Sequence, residues 1–436
     1  MRSQALHLAP GRPLSGSVTP PGAKSGTVRA LLGATLAAGT SRIDNAGSGD
    51  NVRAMVAACR TLGADITELN PRSWTVTGTN HRLPERASLN AGNSGIVLRL
   101  LTAVGAAMEH CTVSTRFDAS LGRRGNHELI DALTQLNANA QGSTAEARPP
   151  LVIGRGSGLK GGTVGVSCRR SSQFLSGLLF LAPLVGEDVR IEVSDELSSV
   201  PMVMLTVDML ARAGVKVDFC AQHRLYYVAG GQRYGAADFQ IASDASSVAG
   251  LLAAAAAVPG SVMRISGFAG NDPGTAAMIA ALGTMGVPTT RERDALVCSG
   301  PERIQPIKMD GSTCPDSLLP MAALSCFAEG TSVFSNVETL RFKECDRISD
   351  FCHELSTAGA RVEERRDAII IHGEGTVRGG TEVFGRHDHS VVMAMAAIAL
   401  RSEEGLAIRG WESVAQTYRG FFADLAAMGA RVTVTD

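Results

Sequence analysis

Apolar residues along the chain gather into two alternating kinds of segment. One kind is apolar nearly all round and opens at a polar residue: AKSGTVRALLGATLAAG, GNSGIVLRLLTAVGAA, SSQFLSGLLFLAPLVG, DASSVAGLLAAAAAVPG, CPDSLLPMAALSCFAEG and HDHSVVMAMAAIALRSEEG. Such a segment reads as a buried helix, capped at its start and usually stopped by glycine. The other kind places apolar residues at helical spacing on one side only: NVRAMVAACRTLGADI, NHELIDALTQLNANA, MVMLTVDMLARAGVKV, GTAAMIAALGTMGV, RISDFCHELSTAGARV and YRGFFADLAAMGARV. Most of these end at Ala-Gly or Met-Gly, and several lead into β-rich runs that close at glycine, namely SWTVTG, RLYYVAG, DALVCSG and DAIIIHG.

The starts of the all-apolar helices, near Ser25, Ser94, Ser172, Ser246, Asp316 and Asp388, recur about every 70 residues, the size of a unit with two helices and several strands. Six units divide most simply into two lobes of three, with the apolar helices inside and the sheets and one-sided helices packed around them. One capped apolar helix is only a core helix. Six with matching starts would converge on one face of each lobe, and two such faces would make a cleft that attracts anions. Lys24 sharpens that expectation, because a helix N-terminus is already positive and a lysine there calls for a negative neighbour.

The 436 residues carry a formal net charge of −1, so no overall field draws the chain to nucleic acid or an acidic membrane, and any anion site has to be local. The nine cysteines are scattered without CxxC or metal-ligand spacing and read as reduced thiols. No apolar run approaches the roughly 20 residues of a membrane span, and MRSQALHLAPGRPL holds no apolar signal stretch. The expectation is a soluble, cytoplasmic protein.

In order along nearly the whole chain, PGAKSGTVRALL, NAGNSGIVLRLL, SSQFLSGLLFLAPL, SDASSVAGLLAAAA, PDSLLPMAALSCFAEGT, RFKECDRI and DHSVVMAMAAIAL resemble the enolpyruvyl (carboxyvinyl) transferase family, within it the EPSP synthases. The resemblance implies an α/β fold of two inside-out lobes, each of three βαβαββ units, with helix N-termini facing the interdomain cleft. The chain would cross between lobes near Pro20-Pro21-Gly22 and near Ala242-Ser243. Residues 1–21 and 243–436 would then form a discontinuous lobe with the acid-base residues, and 22–242 the lobe with the acceptor-phosphate cradle.

The implied reaction moves the enolpyruvyl group of phosphoenolpyruvate to a phosphorylated alcohol, shikimate 3-phosphate first among the acceptors, and releases phosphate with no cofactor or metal. It requires an acid, a base and several cations. By likeness of position, Lys24, Asp316 and Glu344 are catalytic candidates. Ser25 and Arg29 fall on the acceptor, Ser171, Ser172 and Ser199 around its phosphate, and Gln173 beside both ligands. Arg124 and Arg347 resemble clamps for phosphoenolpyruvate, since a guanidinium suits carboxylate and phosphate alike. Lys343 accompanies the acidic pair, and Asn93, Gly95 and His389 complete the substrate-binding set. The implied protein works as a monomer, with neither nucleic acid nor membrane as partner.

Several positions depart from that pattern. Ser390 stands where the resembled DHR motif has arginine, and Gln416 where a lysine precedes the C-terminal stretch, so two cations of the donor site are replaced; Arg386 and Arg419 are the nearby candidates to substitute for them. Met202, Thr339 and Ile96 differ on the acceptor side, and Gly125-Asn126 replaces Pro followed by Met or Ile after Arg124. These changes keep a second reading open, an enolpyruvyl transferase of secondary metabolism acting on another phosphorylated acceptor such as UMP. A third, a non-catalytic binding protein of the same fold, fits the lost cations but not the retained Lys24, Asp316, Lys343, Glu344 and Arg347. The UDP-N-acetylglucosamine branch fits less well, because Ser25 rather than Asn follows Lys24 and DASLGRRGN contains no cysteine.

Overall fold

The computed structural model describes residues 4–268 and 273–435. The six apolar segments form helices α1 (Lys24–Leu36), α3 (Gly95–Gly105), α5 (Gln173–Val185), α7 (Ala245–Ala257), α9 (Leu318–Leu324) and α11 (His389–Arg401). The six one-sided segments form α2 (Asp50–Thr61), α4 (His127–Gln135), α6 (Val200–Arg212), α8 (Pro273–Thr284), α10 (Arg347–Thr357) and α12 (Phe421–Ala427). Every residue of α3 is buried, as are Ser246–Ala257 of α7 and His389–Leu400 of α11, while α2 buries one side, through Asn51, Val52, Met55, Val56, Ala58 and Cys59. The two kinds of hydrophobic pattern therefore become two layers. None of the described helices is long and apolar enough to cross a membrane.

Helix starts differ from expectation at three of the six apolar helices. Ser94 caps α3, its hydroxyl accepting from the Val97 N–H at 3.4 Å, and Asp388 caps α11, accepting from the Ser390 N–H at 2.8 Å. At α7 the cap is Asp244, which accepts from the Ser247 N–H at 2.9 Å, so a carboxylate takes the role expected of Ser246. At α1 the flanking residue is Ala23, whose carbonyl receives the Thr27 N–H at 2.9 Å, leaving Ser25 inside the helix. Ser317 flanks α9, which puts Asp316 one residue outside the cap and leaves its carboxylate to other partners. Ser172 flanks α5 without a side-chain cap bond.

The strands form six four-stranded sheets of one design. In the sheet of residues 86–154, Arg86–Asn90 runs parallel to His110–Ser114, which is antiparallel to Leu151–Gly154, itself antiparallel to Asn139–Gln141. With α3 and α4 in the connections this is a βαβαββ unit, the parallel pair being joined through a helix as parallel strands require. Three sheets borrow strands from far along the chain. Asp238–Gln240 pairs in parallel with Arg42–Asp44, and Ser15–Val18 with Val262–Ile265. Ala5–Leu8 lies between Leu406–Arg409 and Val432–Thr435, antiparallel to both.

Those pairings divide the chain into a continuous unit, Gly22–Ile241, and a discontinuous unit, Met1–Pro21 with Ala242–Asp436. In the discontinuous unit α7, α9 and α11 pack on one another; in the continuous unit α3 lies along α5. Glycines permit both approaches. A Cβ on Gly250 of α7 would meet Met393 Sδ at 2.6 Å, and one on Gly177 of α5 would meet the Arg99 carbonyl of α3 at 3.0 Å. Gly177 thereby brings the start of α5 against Arg99.

Candidate functional site

In the continuous unit α1 opens with Lys24 and Ser25, both half-buried, and its first turn holds no acidic residue. One turn on, Arg29 is 1% exposed and is held by neutral groups: Nε donates to Thr206 Oγ1 at 2.8 Å, Nη1 to the Ser25 carbonyl at 3.0 Å, and Nη2 to Ser176 Oγ at 3.3 Å and the Met202 carbonyl at 3.2 Å. Burial lowers its pKa to about 10, which leaves it charged at neutral pH. Arg29 is thus a fixed cation whose charge its hydrogen-bond partners do not cancel.

A second basic group surrounds the start of α3. A Cβ on Gly95 would lie 2.9 Å from Arg124 Nη1 and 3.2 Å from Gln173 Oε1, so only glycine admits these side chains to the helix end. Asn93 is buried, and its Oδ1 accepts from the Leu121 N–H at 3.3 Å, tying down the turn that carries Arg124. Arg99, one turn into α3, donates to Ser171 Oγ at 2.9 Å, Gln173 Oε1 at 2.6 Å and Asn126 Oδ1 at 3.1 Å, and its guanidinium lies 4.6 Å from the centre of the Phe174 ring. Sequence reasoning did not single out Arg99. Its signal is a lone cation in the apolar run GIVLRLL, the same signal that marks Arg29 in TVRALL.

Ser171 also accepts from the Gln173 N–H at 3.3 Å, while Ser172 is buried at the start of α5. Ser199 flanks α6 with φ 61° and ψ 54°, a left-handed conformation that costs a non-glycine residue about 1–3 kcal/mol and that gathers at functional turns. Ser171 and Ser172 thus lie at the start of α5 and Ser199 at the start of α6, where helix N–H groups favour an anion.

The discontinuous unit collects a different set. Arg347, first residue of α10 and 1% exposed, donates from Nε to Asp388 Oδ2 at 2.7 Å and from Nη2 to Asp388 Oδ1 at 3.2 Å and Glu344 Oε2 at 3.1 Å. Its Nη1 lies 3.7 Å from Asp316 Oδ1, and Lys343 Nζ donates to that same oxygen at 3.3 Å. Burial by itself would lower the Arg347 pKa; the charges of Asp388, Glu344 and Asp316 outweigh it and hold the pKa raised. Asp316, Lys343, Glu344 and Arg347 are therefore one ion-paired cluster, with Asp388 as the partner that sequence reading had placed only as a cap. Carboxylates beside cations in a partly buried setting can carry protons and stabilise developing charge.

His389 is fully buried beside Asp388, its Nδ1 3.8 Å from Asp388 Oδ1. The two replaced cations prove to be neighbours: buried Gln416 donates from Nε2 to the His387 carbonyl at 2.7 Å, immediately before Asp388 and three residues from Ser390. Gln416 Oε1, Ser390 Oγ and Thr417 Oγ1 are buried here and make no hydrogen bond among the described residues. Arg386 is not a substitute, because it is paired with Glu354 Oε1 at 2.5 Å and Asp350 Oδ1 at 3.4 Å. Arg419 is exposed. Among the described residues no group of three or more His, Cys, Asp or Glu side chains could hold a metal ion.

Comparison with known proteins gives a consistent picture. The family model for EPSP synthase (3-phosphoshikimate 1-carboxyvinyltransferase) matches residues 8–425. Proteins named 3-phosphoshikimate 1-carboxyvinyltransferase include one from Burkholderia pseudomallei, 38% identical over 96% of this chain and 93% of its own, and one from Deinococcus radiodurans, 34% identical over 97% and 95%. Among solved structures, an EPSP synthase from Acinetobacter baumannii superposes with a TM-score of 0.82 at 25% identity, covering 99% of this chain and all of the other. The chain belongs to the EPSP synthase family, whose members are carboxyvinyltransferases.

Proposed function

We propose that this member of the family transfers the enolpyruvyl group of phosphoenolpyruvate to a hydroxyl of shikimate 3-phosphate. The observation that carries the reading is the intact cluster of Asp316, Lys343, Glu344 and Arg347, acids and cations joined within 3.1–3.7 Å. A binding protein would have no use for it. The likeness to relatives named for shikimate 3-phosphate along nearly their whole length favours that acceptor over a nucleotide.

In this reading Ser171, Ser172 and Ser199 hold the acceptor's phosphate, with Ser25 and Arg29 on the rest of the acceptor. Lys24 and Arg124 hold the donor's anionic groups, and Gln173 lies beside both. The acceptor hydroxyl loses its proton to a carboxylate while its oxygen bonds to C2 of phosphoenolpyruvate, and C3 gains a proton from an acid. Loss of a proton from that C3 methyl and departure of phosphate from C2 then restore the double bond between C2 and C3, leaving the enolpyruvyl group on the acceptor oxygen. Glu344 and Asp316 are the proton carriers, with Lys343 balancing charge beside them. In this reading the protein works as a monomer.

The test is phosphate release from phosphoenolpyruvate with shikimate 3-phosphate, run beside UMP and other phosphorylated alcohols. Release with shikimate 3-phosphate is expected. Release with UMP alone would replace the acceptor, and no release with any acceptor would remove the transferase reading.

A further inference from the structure

Asn126 occupies a position where the family pattern, as resembled by the segment after Arg124, carries an apolar residue. It is fully buried, and burying an amide is unfavourable unless its donors and acceptor are all used. They are. Oδ1 accepts from Arg99 Nε at 3.1 Å, and Nδ2 donates to the Arg124 carbonyl at 2.9 Å and the Ala147 carbonyl at 3.1 Å. The Asn126 N–H donates to the Glu146 carbonyl at 2.9 Å, so the residue is fixed at both ends. One amide therefore joins α3, the turn carrying Arg124 and the segment at 146–147.

The consequence falls on two guanidiniums. Arg99, held at Nε, turns Nη1 toward Ser171 and Gln173, while Arg124 Nη1 stands 2.9 Å from where a Gly95 Cβ would be. Both cations thus meet at the start of α3. With a leucine or isoleucine at 126, Arg99 Nε would lose that acceptor inside an apolar wall, and the turn bearing Arg124 would lose two of its ties.

We propose that Asn126 is a positioning residue that fixes Arg99 and Arg124 as a paired clamp for the phosphate or carboxylate of the donor. The inference rests on the transferase reading above.

The test is a double-mutant cycle. Asn126→Leu should raise the KM for phosphoenolpyruvate about tenfold, the scale of one charge-assisted hydrogen bond, while kcat stays within about threefold. In an Arg99→Lys background, already raised in KM, the same change should add clearly less than tenfold, the remainder being its effect through Arg124. Independent, multiplying effects would overturn the proposal, as would an unchanged KM in Asn126→Leu. Thermal unfolding is followed in parallel; if Asn126→Leu does not fold, Asn126→Ser, too short to reach Arg99, takes its place in the cycle. If the parent releases no phosphate with any acceptor, the transferase reading has failed on its own. The clamp is then judged by calorimetric titration with phosphoenolpyruvate and with inorganic phosphate: about tenfold weaker binding in the variant supports it, and equal binding overturns it.

Discussion

Arg29 and Arg347 are equally buried, and their surroundings drive them in opposite directions. Arg29 sits among hydroxyls and carbonyls, and burial alone pulls its pKa down to about 10. Arg347 sits among Asp388, Glu344 and Asp316, whose charges raise its pKa against the same burial. A guanidinium in a neutral setting keeps a field that an anionic ligand can satisfy; one enclosed by carboxylates is neutralised in place and serves to orient them. Under the proposed function, Arg29 is left to an anionic ligand, while Arg347 holds the carboxylates that carry protons.

Four substitutions test that division. The largest effect is expected from Glu344→Gln, which should lower kcat by about 10²–10⁴-fold with the affinity for shikimate 3-phosphate, measured by calorimetry, unchanged. A comparable loss of affinity would show that the carboxylate cluster also holds the acceptor. Next comes Asp388→Asn, which keeps an oxygen for the Ser390 N–H but removes the charge opposite Arg347; denaturant unfolding should show a loss of about 3–5 kcal/mol in stability.

The matching change in the other unit, Arg29→Met, should leave stability within about 1 kcal/mol of the parent, because a desolvated charge is removed along with its bonds. Ser176 and Thr206 already bond to each other at 2.9 Å and remain satisfied without it. Its cost should appear instead as an acceptor KM raised about tenfold or more. Stability losses of equal size at Asp388 and Arg29 would erase the contrast. The smallest effect is expected from Gln416→Lys. The ammonium can still donate to the His387 carbonyl while adding charge, so the KM for phosphoenolpyruvate should fall about threefold. A rise would show that the donor's anions are not held near Gln416.

The helical part of the fold was legible because its signals are local. Whether GIVLRLLTAVG is apolar all round, or NVRAMVAACRT on one side only, is decided within three turns of helix, and burial follows. Cap positions were less legible. Asp244 and Ser246 both offer an oxygen, and the carboxylate takes the role by reaching the Ser247 N–H. The strands Ala5–Leu8 and Ser15–Val18 carried no readable signal: ALHL and SGSV are four residues each, and their partners lie hundreds of positions away. Shorter separations, 41 and 27 positions, were enough to hide Arg347 from Asp388 and Arg99 from Asn126. Lys24, Glu344 and Gln173 could be named from their surroundings in sequence, but which neutral or acidic group faces each buried cation is decided only by how the helices pack.

The borrowed strands have a consequence for the order in which the protein takes shape. Translation delivers residues 5–18 well before their partners, Val262–Ile265, Leu406–Arg409 and Val432–Thr435. Every strand of Gly22–Ile241 pairs within that unit, whose last residue is made before any partner of these two strands. Two strands made before that unit are thus paired only after it has been synthesised, and each nascent chain carries them unpaired in the meantime.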